Sequence, residues 1–143
     1  MKPRDKSPSA RRSLTGILAS SWFYAALLIA AALVNAAGYL LTLWHDETIF
    51  DEGVHFYTSF AVVAAIGRAA LASDRLRRSG PRWTALLGIG ILLGLAWEAF
   101  EYLIGIIGSR QDTLMDLAMD LAGALLAAGL VSAVAERLHP RAT

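Results

Sequence analysis

Residues 97–120 read WEAFEYLIGIIGSRQDTLMDLAMD, a stretch that holds five carboxylates: Glu98, Glu101, Asp112, Asp116 and Asp120. Apolar runs flank it, LLGIGILLGLA ending at Ala96 and LAGALLAAGLV starting at Leu121. Such runs suit the hydrocarbon of a bilayer, where an unpaired ionised side chain costs several kcal/mol. How the chain accommodates these acids decides its fold.

The spacing of the acids supplies the first answer. Glu98 and Glu101 stand i, i+3, and Asp112, Asp116 and Asp120 recur every four residues. On helices, each set forms one face. The outward positions between them are apolar. Two helices with acidic inner stripes and greasy outer surfaces are therefore expected, not a soluble loop.

The rest of the chain agrees. Of 143 residues, 56% are hydrophobic and 17% charged, the net charge is +1 and the mean hydropathy is +0.50. The charges are clumped and leave long apolar runs, as in a membrane protein. There is no cysteine, which excludes disulfides and thiolate metal sites. No strand pattern, nucleotide-binding loop, Ser-His-Asp arrangement or nucleic-acid patch is present, so no nucleic-acid partner is expected.

The predicted architecture is an all-α, polytopic four-helix membrane bundle with both termini cytoplasmic. Residues 1–13 form a basic, disordered cytoplasmic arm, and residues 14–136 form the transmembrane domain. The spans are predicted near 17–44, 54–72, 84–108 and 114–136, followed by a cytoplasmic tail, 137–143. The first apolar run is too long for the core of a cleaved signal peptide. HDETIFDEG, 45–53, and SRQDT, 109–113, read as connections.

Orientation follows from Lys and Arg. Lys2, Arg4, Lys6, Arg11 and Arg12 precede span one; Arg75, Arg77, Arg78 and Arg82 lie between spans two and three; Arg137 and Arg141 follow span four. The opposite connections hold only Arg110, and Arg68 can snorkel from the inner end of span two. Trp22 and Trp83 fit an inner aromatic belt and Trp44 an outer one.

On this topology three helices deliver polar groups to the outer half of the bilayer. Span two contributes Asp51 and His55, which share a face if the helix starts early enough. Span three contributes Glu98 and Glu101, and span four Asp116 and Asp120. These six residues are the candidate ligands of a divalent cation (Mg, Mn, Ca or Zn), oxygen donors with one imidazole suiting that set. Asp112, Asn35 and Tyr39 are expected to support them. Glu98, Glu101 and Asp116 are the candidates for catalysis if the bound metal activates water.

The function expected is therefore that of an integral membrane protein with an acidic, His-containing and metal-binding polar site. Three alternatives stay open. The cluster is a structural network without chemistry, the centre of a metal-dependent hydrolase or transferase acting on an amphiphilic or lipid-linked substrate, or part of a proton- or ion-coupled transporter subunit. Expected partners are membrane lipids and, through the small-residue faces Gly90–Gly94 and Gly123–Ala128, neighbouring helices of the same chain or of a homo-oligomer.

Three motifs in order carry a family resemblance: Asp51, three residues, then His55-Phe56; the pair Glu98 and Glu101; and Asp112-Thr113, Asp116-Leu117, Asp120 and Gly123-Ala124. The pattern, over roughly residues 45–130, resembles the YjdF-like family of small bacterial inner-membrane proteins and more distantly the VanZ-like superfamily. The resemblance implies a small helical bundle in a bacterial inner membrane. The YjdF-like family brings no established activity with it. VanZ-like proteins are associated with reduced sensitivity to a glycopeptide antibiotic, but their pattern tends to carry Gln and Asn where this chain has Glu101 and Asp120.

Overall fold

The computed structural model describes residues 20–41, 49–72, 83–106 and 108–138, with Gly16 and Leu18. The arm before Gly16, the arginine-rich connection at 73–82, Trp44 and the tail beyond Leu138 lie outside the described residues. The described residues hold four long helices: α1 Ser21–Leu40, α2 Ile49–Ala72, α3 Trp83–Ile104 and α4 Arg110–Leu138. All four are long and apolar enough to cross a membrane.

Helix α1 ends at Leu40, short of the expected 44, and three other helix ends differ from the sequence expectation, each for a local reason. Helix α2 starts at Ile49, inside the stretch read as a connection, and Asp51 and Glu52 occupy its first turn. Acids there interact favourably with the free N–H groups and the positive end of the helix dipole. Helix α3 stops at Ile104 instead of running to residue 108. Gly105 takes the left-handed conformation (φ 77°), and Gly105 N–H and Ile106 N–H donate to the Tyr102 and Glu101 carbonyls at 3.3 and 3.0 Å. That is a Schellman cap, which a residue with a Cβ adopts only at a cost. Helix α4 starts at Arg110, so SRQDT is a helix start rather than a turn. Ser109 caps it, its Oγ accepting from Asp112 N–H at 3.2 Å.

Helices α2 and α4 form the central pair, with α1 packed on α2 and α3 chiefly on α4. Neighbours along the pair advance together. His55 meets Asp116 and Asp120, Phe56 and Phe60 meet Gly123, and Gly67 meets Val131, so α2 and α4 run parallel. On α3 the order reverses, Gly90 facing Ala124 and Gly94 facing Asp120. The starts of α2 and α4 and the end of α3 therefore share one end of the bundle.

Small side chains make the core: Ala61, Ala64, Ala124, Ala127 and Ala128 have no exposed area. Large apolar side chains point outward instead, among them Trp22, Leu33, Leu92, Leu95, Leu125 and Leu126. A surface of this kind suits lipid and would be a liability in water.

Gly123 marks the closest approach. A Cβ there would meet the Phe56 carbonyl and come within 2.9 Å of the Phe60 nitrogen, both backbone atoms that cannot swing aside. Gly123→Ala is expected to cost roughly 1–3 kcal/mol, the range for overpacking. Gly53→Ala has open space within 4 Å; it is expected to be neutral or to stabilise by up to about 1 kcal/mol through helix propensity. Thermal unfolding in detergent, followed by circular dichroism, separates the two.

Candidate metal centre

At 1.5 Å per residue, His55 lies about 9 Å below the start of α2, Asp116 about 9 Å below the start of α4 and Glu98 about 9 Å below the end of α3. The three helices thus bring polar groups to one depth. Asp51, His55 and Ser59 stand i, i+4 along α2, and Asp116 and Asp120 stand i, i+4 along α4. Parallel packing sets the two stripes face to face.

The His55 ring lies between them, and its two edges see different surroundings. Nδ1 faces Asp120 Oδ2 at 3.3 Å. Nε2 faces Asp51 Oδ1 at 3.8 Å and Asp116 Oδ1 at 3.9 Å. The second pair of distances exceeds hydrogen-bond range. An ionised carboxylate can only accept, so its pairing with Asp120 favours the tautomer with the proton on Nδ1. The Nε2 lone pair then points at the two other acids.

Burial sharpens this geometry. His55, Asp116, Asp120, Glu98 and Glu101 are all buried, Asp116 to within 2% of full enclosure. Asp51 Oδ1, His55 Nε2, Asp116 Oδ1 and both Glu98 carboxylate oxygens have no hydrogen-bond partner among the described residues. Buried polar groups in proteins nearly always have partners, so these unmet atoms call for a ligand, an ion or water. Asp51, His55 and Asp116 each offer one ligand atom within 4.8 Å of the others, a group able to hold a metal ion.

The other expected site residues take different places. Asp120 lies behind the ring, where it orients His55 as carboxylates orient metal-bound imidazoles. Glu98 does not join the three-residue group. Glu101 accepts a 2.8 Å hydrogen bond from Trp97 Nε1. Asp112 is half-buried in the first turn of α4. Asn35 ties α1 to α2, its amide donating to the Ala31 carbonyl and to Thr58 Oγ1, both at 2.8 Å. Tyr39 is 74% exposed and is not brought to the cluster. A cavity of about 90 Å³ reaches His55 and Asp120 between Asn35, Thr58, Ser59 and Trp97, with room for a handful of waters.

Two contributors were not singled out from sequence. Trp97 holds Glu101 and lies edge-on to His55, ring centroids 6.4 Å apart. Ser59 Oγ donates to the Asp120 carbonyl at 2.7 Å. Both stand four residues from a recognised site residue on the same helix face, a signal that could have found them. Ser59→Ala removes one hydrogen bond between the central helices. A loss of about 0.6 kcal/mol is expected, the average for such bonds in a membrane bundle, measured by unfolding in detergent, with metal content unchanged.

A family model described as "Predicted membrane protein (DUF2238)" matches residues 11–137. No curated protein and no solved structure matches the chain significantly. The description supports a membrane-protein family and carries neither the YjdF-like nor the VanZ-like name. With the match spanning nearly all of the chain and four apolar helices enclosing the polar cluster, the protein belongs to the predicted membrane protein family DUF2238.

Proposed function

We propose that this chain is a multi-pass protein of a bacterial inner membrane that binds a divalent cation between Asp51, His55 and Asp116. One observation carries the reading: three buried atoms, Asp51 Oδ1, His55 Nε2 and Asp116 Oδ1, converge without hydrogen-bond partners among the described residues. Like charges at this depth repel, and unpaired carboxylates in an apolar bundle are costly. A cation among them removes both penalties.

The geometry is suitable. Donors about 2.0–2.2 Å from one tetrahedral ion stand about 3.3–3.6 Å apart, so the side chains would close by a few tenths of an ångström on binding. The imidazole–carboxylate separations are 3.8 and 3.9 Å. A mixed set of one nitrogen and two oxygens favours Mn or Zn over Mg or Ca. Below Asp120, α2 and α4 close on Val63, Ala64, Ala124, Ala127, Ala128 and Val131, all without exposed area. This supports a site served from one end of the bundle, rather than a path through it.

A second reading rests on the same ring. Three carboxylates lie within 4 Å of His55, so an imidazolium could serve as their shared counter-charge in a purely structural network. Loading the detergent-purified protein with Mn²⁺ separates the two. The cation reading expects imidazole nitrogen coupling in pulsed electron paramagnetic resonance. This coupling should be lost in Asp116→Asn and His55→Ala at unchanged helicity. Saturating this site near one hundred times its Kd should stabilise the wild type by about 2.7 kcal/mol more than it stabilises Asp116→Asn. The network reading expects no nitrogen-coupled Mn²⁺ and lower unfolding temperatures for both variants.

The arginine and lysine distribution supports cytoplasmic termini and an outward-facing site, as does the resemblance to the YjdF-like inner-membrane proteins. The absence of cysteine makes this simple to test. A membrane-impermeant maleimide is expected to label Ser109→Cys in intact cells and to label Glu136→Cys only after lysis. Labelling in the opposite order would invert the topology.

A further inference from the structure

The Glu98 carboxylate is left over from the site just described. Its side chain is only 7% exposed, and both of its oxygens are buried without a partner among the described residues. It stands outside the group formed by Asp51, His55 and Asp116. Glu101, one turn nearer the bundle end, is also 7% exposed, and Trp97 fixes the orientation of its carboxylate. Glu98 stands three residues before Glu101, so the two acids share one face of α3.

Charge makes the same point. A divalent ion at the first group offsets Asp51 and Asp116, and Asp120 is turned to His55. The imidazole that binds the ion is neutral, so the carboxylates of Asp120, Glu98 and Glu101 are left over; of these Asp120 faces the His55 Nδ1 hydrogen and Glu101 accepts from Trp97, while Glu98 has no partner among the described residues.

We propose that Glu98 and Glu101 form a second cation subsite, separate from the first and taking a hard divalent ion such as Mg²⁺ or Ca²⁺. This rests on the reading of the buried acids as cation ligands. The donors are all oxygen, the preference of such ions, and Mg²⁺ in particular is held by one or two carboxylates while keeping several waters. The water-bearing positions are where a phosphate or carboxylate of a further ligand would enter. The two subsites differ in chemistry, since only the first offers an imidazole nitrogen.

The test uses the full-length protein in detergent with Mn²⁺ as the probe, because it accepts both donor sets. Bound metal is counted by elemental analysis after gel filtration, and nitrogen coupling is read by pulsed electron paramagnetic resonance. Two Mn²⁺ per chain are expected in the wild type. Glu98→Gln and Glu101→Gln should each retain one, with nitrogen coupling intact, while Asp116→Asn retains one without it. Should Glu98→Gln fail to fold, as judged by helicity and elution, Glu101→Gln carries the test alone. One Mn²⁺ in the wild type, nitrogen-coupled and kept by both glutamine variants, overturns the second subsite and leaves the first standing. One ion lost with the glutamates but kept in Asp116→Asn overturns the first and supports the second. No bound ion overturns both.

Discussion

An ionised carboxylate cannot face hydrocarbon, and the arrangement of this bundle follows from that constraint. Four helices with mostly apolar surfaces carry their acids at spacings that gather each set on one side. Those sides must turn inward, and once they do, the rotation of each helix about its axis is set. The large side chains Leu92, Leu95, Leu125 and Leu126 are thereby left on the lipid-facing surface. The interior is left chiefly to alanine, glycine and valine, with Tyr24, Leu71 and Leu86 the larger side chains of the core, which in turn permits close packing. Polar placement and steric fit are two results of one requirement.

The central interface between α2 and α4 shows how the two are linked. Along α4 the inward face reads Asp116, Asp120, Gly123, Ala127 and Val131. At one end it is acidic, at the other small and apolar, with Gly123 between. The backbone contact at Gly123 brings the helices together one turn below Asp120. That closeness lets a single imidazole touch the environment of three carboxylates from two helices. The apolar part of the interface therefore determines the width of the polar part.

Much of this was legible before any coordinates. Helix period alone assigned Glu98 with Glu101, and Asp116 with Asp120, to common faces, and apolar length indicated four helices. Helix ends were harder. HDETIFDEG looks like a connection because hydropathy counts Asp51 and Glu52 as polar, whereas a helix start welcomes them as charges opposite its dipole. Gly105 ends α3 through its backbone conformation, which apolar continuity from Ile104 to Ile107 conceals. The division of roles among the acids was not legible at all. Whether Asp120 lies before or behind the His55 ring depends on how two helices lean together, and no periodicity within one helix encodes that.

The depth of the cluster has an electrical consequence. The groups lie about 9 Å inside the helix ends, above a floor formed by Val63, Ala64, Ala124, Ala127, Ala128 and Val131 without exposed area. On the proposed topology, a divalent ion arriving from outside crosses roughly a third of a hydrocarbon layer about 30 Å thick. Each elementary charge crossing the full layer gains about 2.3 kcal/mol per 100 mV, so occupancy would change by at most about 1.4 kcal/mol, on the order of tenfold in affinity. A cell interior at negative voltage draws cations inward, so an energised membrane would raise the affinity of the proposed site and a collapsed one would lower it. Occupancy would then report membrane voltage as well as cation concentration.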